Sequence, residues 1–338
     1  MDEARRDTDV GPRLSVVLST LGNYPVLRRV LDGYERQDAA PGSFEMLVVA
    51  DVKEPDLPAV DAAVGERPYP VRRLTGSVGG LSANRNTGWR SARAPIVLFT
   101  DNDTIPVAGL VSRHLDAHRR HPQEEVAVAG HVRWAKGLKV TPFMKWLDQG
   151  VQFGFHAVET DEGHWAMLYG ANCSIKRSFL QRVGGYDEER LPYLYEDIDW
   201  GYRARDHGLR VIYDRQAIVD HWRPMTVETW KARAPMLAAT EWQFCQLHPE
   251  LEPWYHRMFA EADRQPAAGA RARRLARFVS PRVPWLGRAV WERAGLQWRK
   301  EIAPHFLGAW EKAARGELSA QPDVAALLAE RSSSPGGP

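Results

Sequence analysis

The chain has 338 residues, 44% of them hydrophobic, enough for one large domain or two smaller ones with a sizeable core. Forty-five basic residues against 43 acidic ones leave a formal charge of +2, which argues against a surface built throughout for nucleic acid. Two cysteines, Cys173 and Cys245, supply neither a disulfide framework nor a zinc-ligand set, so free thiols in a reducing compartment are expected.

The opening MDEARRDTDVGPR is charged and lacks the apolar stretch of a secretory signal, so residues 1–13 read as a tail. No run approaches the ~18 apolar residues of a spanning helix. The expected location is cytoplasmic, with peripheral contact at the inner membrane face as an open possibility. LSVVLST (14–20) and FEMLVVAD (44–51) are β-branched runs with a helical stretch, 26–37, between them. A third strand is expected at 70–74, then a Gly-rich turn, a helix over 82–93 and a strand opening at Ile96. Beyond Asp103 the pattern predicts a helix (107–121), a strand (126–134), a helix (141–150), a strand to Ile175, a short helix stopped by Gly184-Gly185, a helix ending at Gly208, and a strand pair ending at His221. Strands alternating with helices predict an α/β fold whose mostly parallel sheet is covered on both faces, with ligands at the carboxyl ends of the strands.

The core-type run Ile96-Val97-Leu98-Phe99 ends in Asp101-Asn102-Asp103. Buried charge needs a partner, and a cation, a ribose hydroxyl or a helix N-terminus would each serve. Hard cations such as magnesium or manganese take one or two carboxylates plus phosphate oxygens; a turn or cap is the simpler alternative. Upstream, Gly79-Gly80 precedes a helix holding Arg85 and Asn86, in a spacing that is neither the dinucleotide fingerprint nor a P-loop. That segment reads equally as a phosphate cradle or as a turn and cap.

Taken in order, LSVVLST, VVAD, GGLSANRNTG, FTDND, GANCSIKR, VGGYDE, YEDIDWGYR and DHW resemble the family 2 glycosyltransferases of the GT-A fold, over Leu14 to Trp222. The resemblance implies a Rossmann-like twisted sheet flanked by helices, with a catalytic domain over 14–224. It implies a divalent cation, Mn or Mg, at Asp101, Asp103 and His221. The nucleotide of a UDP, GDP or dTDP sugar would meet Thr20, Asp51, Gly80, Arg85, Asn86 and Asp101. Asp197 would be the general base, oriented by Glu196, in an inverting transfer to a hydroxyl acceptor, whether glycan, lipid-linked or small molecule. Asn172, Gly185, Asp187 and Trp222 would serve the sugar and acceptor, although Asn and Asp also suit turns for local reasons. The chain departs from the family's DDGS pattern at Ala50-Asp51-Val52-Lys53, keeping one aspartate, and it carries Asn102 in the middle of the metal motif. Competing readings are nucleotidyl transfer from a nucleoside triphosphate and a non-catalytic nucleotide-sugar binder.

From Trp222 onward lie eight of the 13 tryptophans, and 264–300 holds ten basic residues against Glu292. Residues 225–330 are expected to be a mainly helical extension, and 331–338 a disordered tail. A helix over 285–300 would align Trp291 and Trp298 on one stripe. That stripe could face a membrane surface, pack back onto the catalytic domain, or form a homodimer interface.

Overall fold

The computed structural model describes residues 11–40, 42–155, 158–266, 271–279 and 286–321. Most of the expected N-terminal tail and the tail expected to be disordered after Glu330 lie outside these residues.

A nine-stranded sheet organises the chain, in the order β3-β2-β1-β4-β8-β6-β9-β5, with β7 on β9. Its first half is built from β1 (Leu14–Thr20), β2 (Phe44–Ala50), β3 (Val71–Thr75) and β4 (Ile96–Asp101), all parallel. β1 and β2 are buried at every residue because helices cover both faces of their largely apolar runs, and the polar interruptions Ser15 and Glu45 are paired, Ser15 Oγ donating to Glu45 at 2.7 Å. The covering helices here are α1 (Tyr24–Glu35), α2 (Leu57–Val64) and α3 (Leu81–Ser91).

The second half is mixed. β5 (Thr104–Pro106), α4 (Leu110–Arg120), β6 (Val126–Trp134), α5 (Pro142–Trp146), the two-residue β7 (Glu162–Gly163), β8 (Asn172–Lys176), α6 (Arg177–Val183), α7 (Glu196–Arg205) and β9 (Arg210–His221) follow in the chain. β8 runs antiparallel between β4 and β6, whereas β6 and β9 are parallel. The expected strand pair ending at His221 is instead one long β9. Its pairing with β6 jumps from Gly130↔Asp214 to His131↔Ile218, so Arg215–Ala217 form a bulge. The cause is local, because Asn172 donates to the Ala217 carbonyl (2.9 Å) and fills the space beside Gly130.

Among the described residues four helices follow: α8 (Val227–Leu247), α9 (Trp254–Arg264), α10 (Arg271–Leu275) and α11 (Leu286–Ala314). α8 starts at a reciprocal Thr226–Thr229 capping box and continues through Pro235, while α11 continues through Pro304. Together with α5 they enclose a second hydrophobic cluster that includes Phe143, Trp146, Trp230, Phe259, Trp291, Trp298 and Phe306. Trp291 and Trp298 are 5% and 4% exposed, and Trp298 packs 5.5 Å from Trp146. The expected tryptophan stripe therefore faces inward, against α5, and is not available to sit at a lipid headgroup level. Among the described residues no helix is long and apolar enough to cross a membrane.

Candidate active site

The carboxylates at the strand ends are gathered by register. Thr20 pairs with Ala50 on one side of β1, and Ser19 pairs with Asp101 on the other, so Asp51 and Asp101 flank the end of the central strand. This is the crevice that parallel sheets use for ligands. Asp51 is buried and already partnered, accepting from the backbone of Lys53 (2.9 Å) and Gly80 (2.8 Å) and from Asn84 (3.3 Å). Asn102 also lines the crevice and uses its amide NH2 within the protein, donating to Thr20 Oγ1 and the Gly22 carbonyl, both at 3.0 Å. Its role is to lock the β4–β5 turn onto β1, which sets Asp101 and Asp103 in place on either side.

Asp103 meets His221 because β5 pairs antiparallel with β9, Thr104 opposite His221. The Asp103 carbonyl accepts from Trp222 N–H (2.6 Å), and its Oδ2 lies 3.6 Å from His221 Nε2. The imidazole is wedged between Trp134 and Phe153, and its buried Nδ1 has no hydrogen-bond partner. Arg223 Nη1 lies 3.8 Å from the same Asp103 oxygen. Asp101 does not join this pair but reaches Arg85 at 3.2 Å. Among the described residues no three His, Cys, Asp or Glu side chains cluster closely enough to hold a metal by themselves. Asp103 and His221 thus offer two donors of suitable chemistry, and further ligands would come from the substrate and water.

The third component arrives on the first turn of α7. Tyr195, in the left-handed region (φ 63°), turns the chain so that Glu196 and Asp197 open the helix. Glu196 is 3% exposed and paired with Arg85, which is itself 2% exposed, while its Oε2 lacks a partner. Asp197 accepts from Gly170 N–H (3.0 Å) and Ile198 N–H (2.8 Å), which fix both of its oxygens. Burial pushes both carboxyls above their ordinary range, and Arg85 only partly opposes it. A Cβ at Gly170 would fall 2.1 Å from the Arg85 guanidinium carbon. Gly170→Ala is therefore expected to cost about 1–3 kcal/mol by displacing Arg85 from Glu196, measurable by urea unfolding. Stability within a few tenths of wild type would mean that the guanidinium can move aside.

Thr20, Asp51, Arg85, Asp101, Asp103, Glu196, Asp197 and His221 all line one cavity of about 580 Å3. The other expected site residues lie elsewhere. Gly80 caps α3 at φ 143°, where a Cβ would meet the Pro192 carbonyl oxygen at 2.9 Å, and its N–H is taken by Asp51; the phosphate-cradle reading gives way to a turn and cap. Asn86 braces α3 against the 185–188 turn, bonding Tyr186 N–H and C=O, Glu188 and Trp89, so it has no position left for a nucleotide. Gly185 is a close-packing glycine against Asn86. Asp187 caps its own turn through Glu189 and Arg190. Asn172 ties β8 to β6, β9 and His114. Trp222 lies under Arg29, 4.7 Å from guanidinium carbon to ring centroid, and against Gly137. For these residues the local turn-and-packing reading is the one the structure displays.

The cavity also has lining residues that motif reading passed over. Arg223, two residues beyond His221, was visible as a cation beside an acidic motif. Tyr195 opens the YEDIDWGYR motif, which assigns it no role, whereas Trp230, Glu241 and Tyr255 had no signal, because α8 and α9 reach the site only through the packing of the C-terminal helices.

Comparison with known proteins agrees with this architecture. Residues 12–241 match the model of the glycosyltransferase-like family 2, and the chain belongs to that family. It is 26% identical over 259 residues to validoxylamine A glucosyltransferase of Streptomyces hygroscopicus subsp. limoneus, covering 66% of this chain and 52% of that protein. It is also 26% identical over 225 residues to glucosyl-dolichyl phosphate glucuronosyltransferase of Haloferax volcanii, covering 62% and 69% of the two chains. The chain thus spans about half the length of the first of these relatives. Among solved structures, a mannosyltransferase from Pyrobaculum calidifontis in complex with GDP-Man and Mn2+ superposes with a TM-score of 0.51 at 19% identity, over 95% of this chain and 79% of that one. Likeness to that GT-A enzyme concerns the fold.

Proposed function

We propose that the protein transfers a sugar from a nucleotide-diphosphate donor to a hydroxyl acceptor, with inversion and with a divalent cation. The observation that carries this reading is the meeting of Asp101, Asp103 and His221 with Glu196 and Asp197 in one cavity at the carboxyl ends of parallel strands. Thr20, Asp51 and Arg85 belong to the nucleotide side of that cavity. The acceptor oxygen attacks the anomeric carbon, the bond to the diphosphate oxygen breaks, and the acceptor proton passes to the Asp197 carboxylate. Two backbone N–H groups aim that carboxylate, while Arg85 and Glu196 hold the start of α7. Asp103 and His221 would hold the cation, which when bound offsets negative charge on the departing diphosphate. Arg223, close to Asp103, adds a fixed positive charge on the same side. The Mn2+ and nucleotide sugar of the Pyrobaculum mannosyltransferase are consistent with this choice of ligands.

The test is the thermal midpoint of the folded protein with UDP, GDP, dTDP and their sugar conjugates, with and without manganese. A rise that needs both one diphosphate nucleotide and the metal is expected. Asp103→Ala and His221→Ala should each remove the metal-dependent part of that rise and weaken donor binding about tenfold or more. Unchanged manganese dependence in both variants would remove the two residues from the metal seat, and no shift with any donor in folded protein would favour a non-catalytic role.

A further inference from the structure

One wall of the cavity is not made by the sheet. α8 and α9 close it with Trp230, Met236, Leu237, Phe244, Trp254 and Tyr255, whereas the strand ends opposite supply Thr20, Asp51, Asp101 and Asp103. The two sides differ in chemistry. The acidic group on the helical wall, Glu241, is already saturated: it accepts from Tyr195 Oη (2.6 Å) and from the N–H groups of Tyr255 (2.7 Å) and His256 (2.8 Å) at the start of α9. Glu252, also on this side, is paired with Arg257. A sugar acceptor is recognised by polar groups that meet several hydroxyls; of the two carboxylates here, the buried Glu241 is engaged within the protein and Glu252 stands at the exposed rim in a solvent-facing ion pair.

Apart from Arg233 on α8, what it presents is mainly apolar surface, with the Trp230 indole as a further donor. Trp230 is 1% exposed, lines the cavity, and its indole Nε1 has no hydrogen-bond partner in the protein. Trp254 stands 42% exposed on the same wall, edge-on to Tyr255 at 4.6 Å. The wall is also fixed to the catalytic helix. Tyr195, the residue before Glu196, bonds Glu241 and packs against Phe244, 4.9 Å between tilted rings; farther along α7, Asp199 meets His248 at 2.8 Å and Tyr202 meets Glu250. A molecule held on α8 and α9 is therefore held in register with Asp197.

We propose that α8 and α9 form the acceptor subsite, and that the acceptor carries an apolar ring or chain beside its reacting hydroxyl. This rests on the transferase reading above. A soluble hydrophobic alcohol and a lipid-linked one share this chemistry, and the experiment separates them.

With the donor chosen by thermal shift, kcat/KM of the full chain is compared for glucose, phenyl β-glucoside, and a polyprenyl-phosphate-linked glucose in phosphatidylcholine vesicles. Phenyl β-glucoside or the polyprenyl-linked glucose should exceed glucose by about tenfold or more, the scale of one apolar group in a pocket; whichever leads identifies the soluble or the lipid source. Trp254→Ser and Met236→Glu should abolish that advantage through acceptor KM, while the donor-induced shift stays in place and shows that both variants are folded. Equal kcat/KM for glucose and the apolar acceptors, or an advantage that both variants retain, overturns the assignment even though donor binding stands. A wild-type protein with no donor shift overturns the transferase reading itself and this inference with it.

Discussion

Asp197→Asn is expected to keep donor and metal binding while transfer falls by about 10²-fold or more, the usual scale for losing a positioned general base. The geometry makes this substitution informative. Asp197 accepts one N–H on each oxygen, from Gly170 and from Ile198, and an asparagine has one carbonyl oxygen with which to accept. One of the two backbone donors must then face an amide NH2, which costs about 1–3 kcal/mol if no water reaches it. Stability should therefore drop modestly and activity severely. Equal losses of donor affinity and turnover would make Asp197 structural.

The pH profile gives a second check on the same residue. Burial raises the Asp197 carboxyl, and a base must be ionised, so transfer should rise with pH along an acid limb displaced above the ordinary aspartate value of about 3.9. Glu196 is raised as well and lies beside it, so the limb belongs to the pair. The stability contribution runs the other way. For a carboxyl whose folded pKa is raised, it is fully present below the unfolded value and is lost as pH climbs through the folded one. Within that window the protein gains activity as it gives up stability. An acid limb near pH 4, or one unchanged in the asparagine variant, would detach the rate from Asp197.

How much of this was legible in the sequence depends on where each residue finds its partners. Strand-terminal acids were readable because β1, β2 and β4 are largely apolar, β-branched runs, so Asp51 and Asp101 were expected at strand ends, and parallel pairing places such ends together. His221 was readable only through the family pattern, since its neighbour Asp103 is brought to it by the β5–β9 pairing. Asn86, Asn172, Gly185 and Asp187 carried the right residue types but were placed on the ligand. In the fold the polar groups of Asn86 are taken by Tyr186 and Glu188, about a hundred positions away, and by Trp89. No local signal reports that a polar side chain is already saturated. The helical wall was beyond reach for a related reason. Its apolar residues look like any core, and only the packing of α8 and α9 on α7 turns some of them toward the cavity. Local rules would also have broken α8 at Pro235 and α11 at Pro304, where the helices continue.

Arg85→Ala is expected to destabilise the protein by about 3–5 kcal/mol near neutral pH, the cost of leaving one member of a buried ion pair without the other. Arg85 lies between Glu196 and Asp101, beside the ring of Tyr186 at 5.8 Å, in the space that Gly170 leaves open. Burial alone would disfavour its charge, yet the surrounding carboxylates more than offset that and hold its pKa above the usual arginine value. Without it Glu196, at 3% exposure and with one oxygen already unpartnered, becomes an uncompensated buried carboxylate. Its pKa must then climb further, and the sign follows: the deficit should be small below about pH 4 and grow as pH rises. Urea unfolding at about pH 5 and about pH 8 reads this directly, with the larger loss at the higher pH. Removing the stranded charge as well, in Arg85→Ala/Glu196→Gln, should recover part of the stability, with a coupling of about 0.5–3 kcal/mol for residues in contact. Arg85→Lys should not restore the wild type, because an ammonium cannot span Glu196 and Asp101 with two fixed nitrogens. A loss below about 1 kcal/mol, independent of pH and additive with Glu196→Gln, would show that the pair contributes little to holding the first turn of α7.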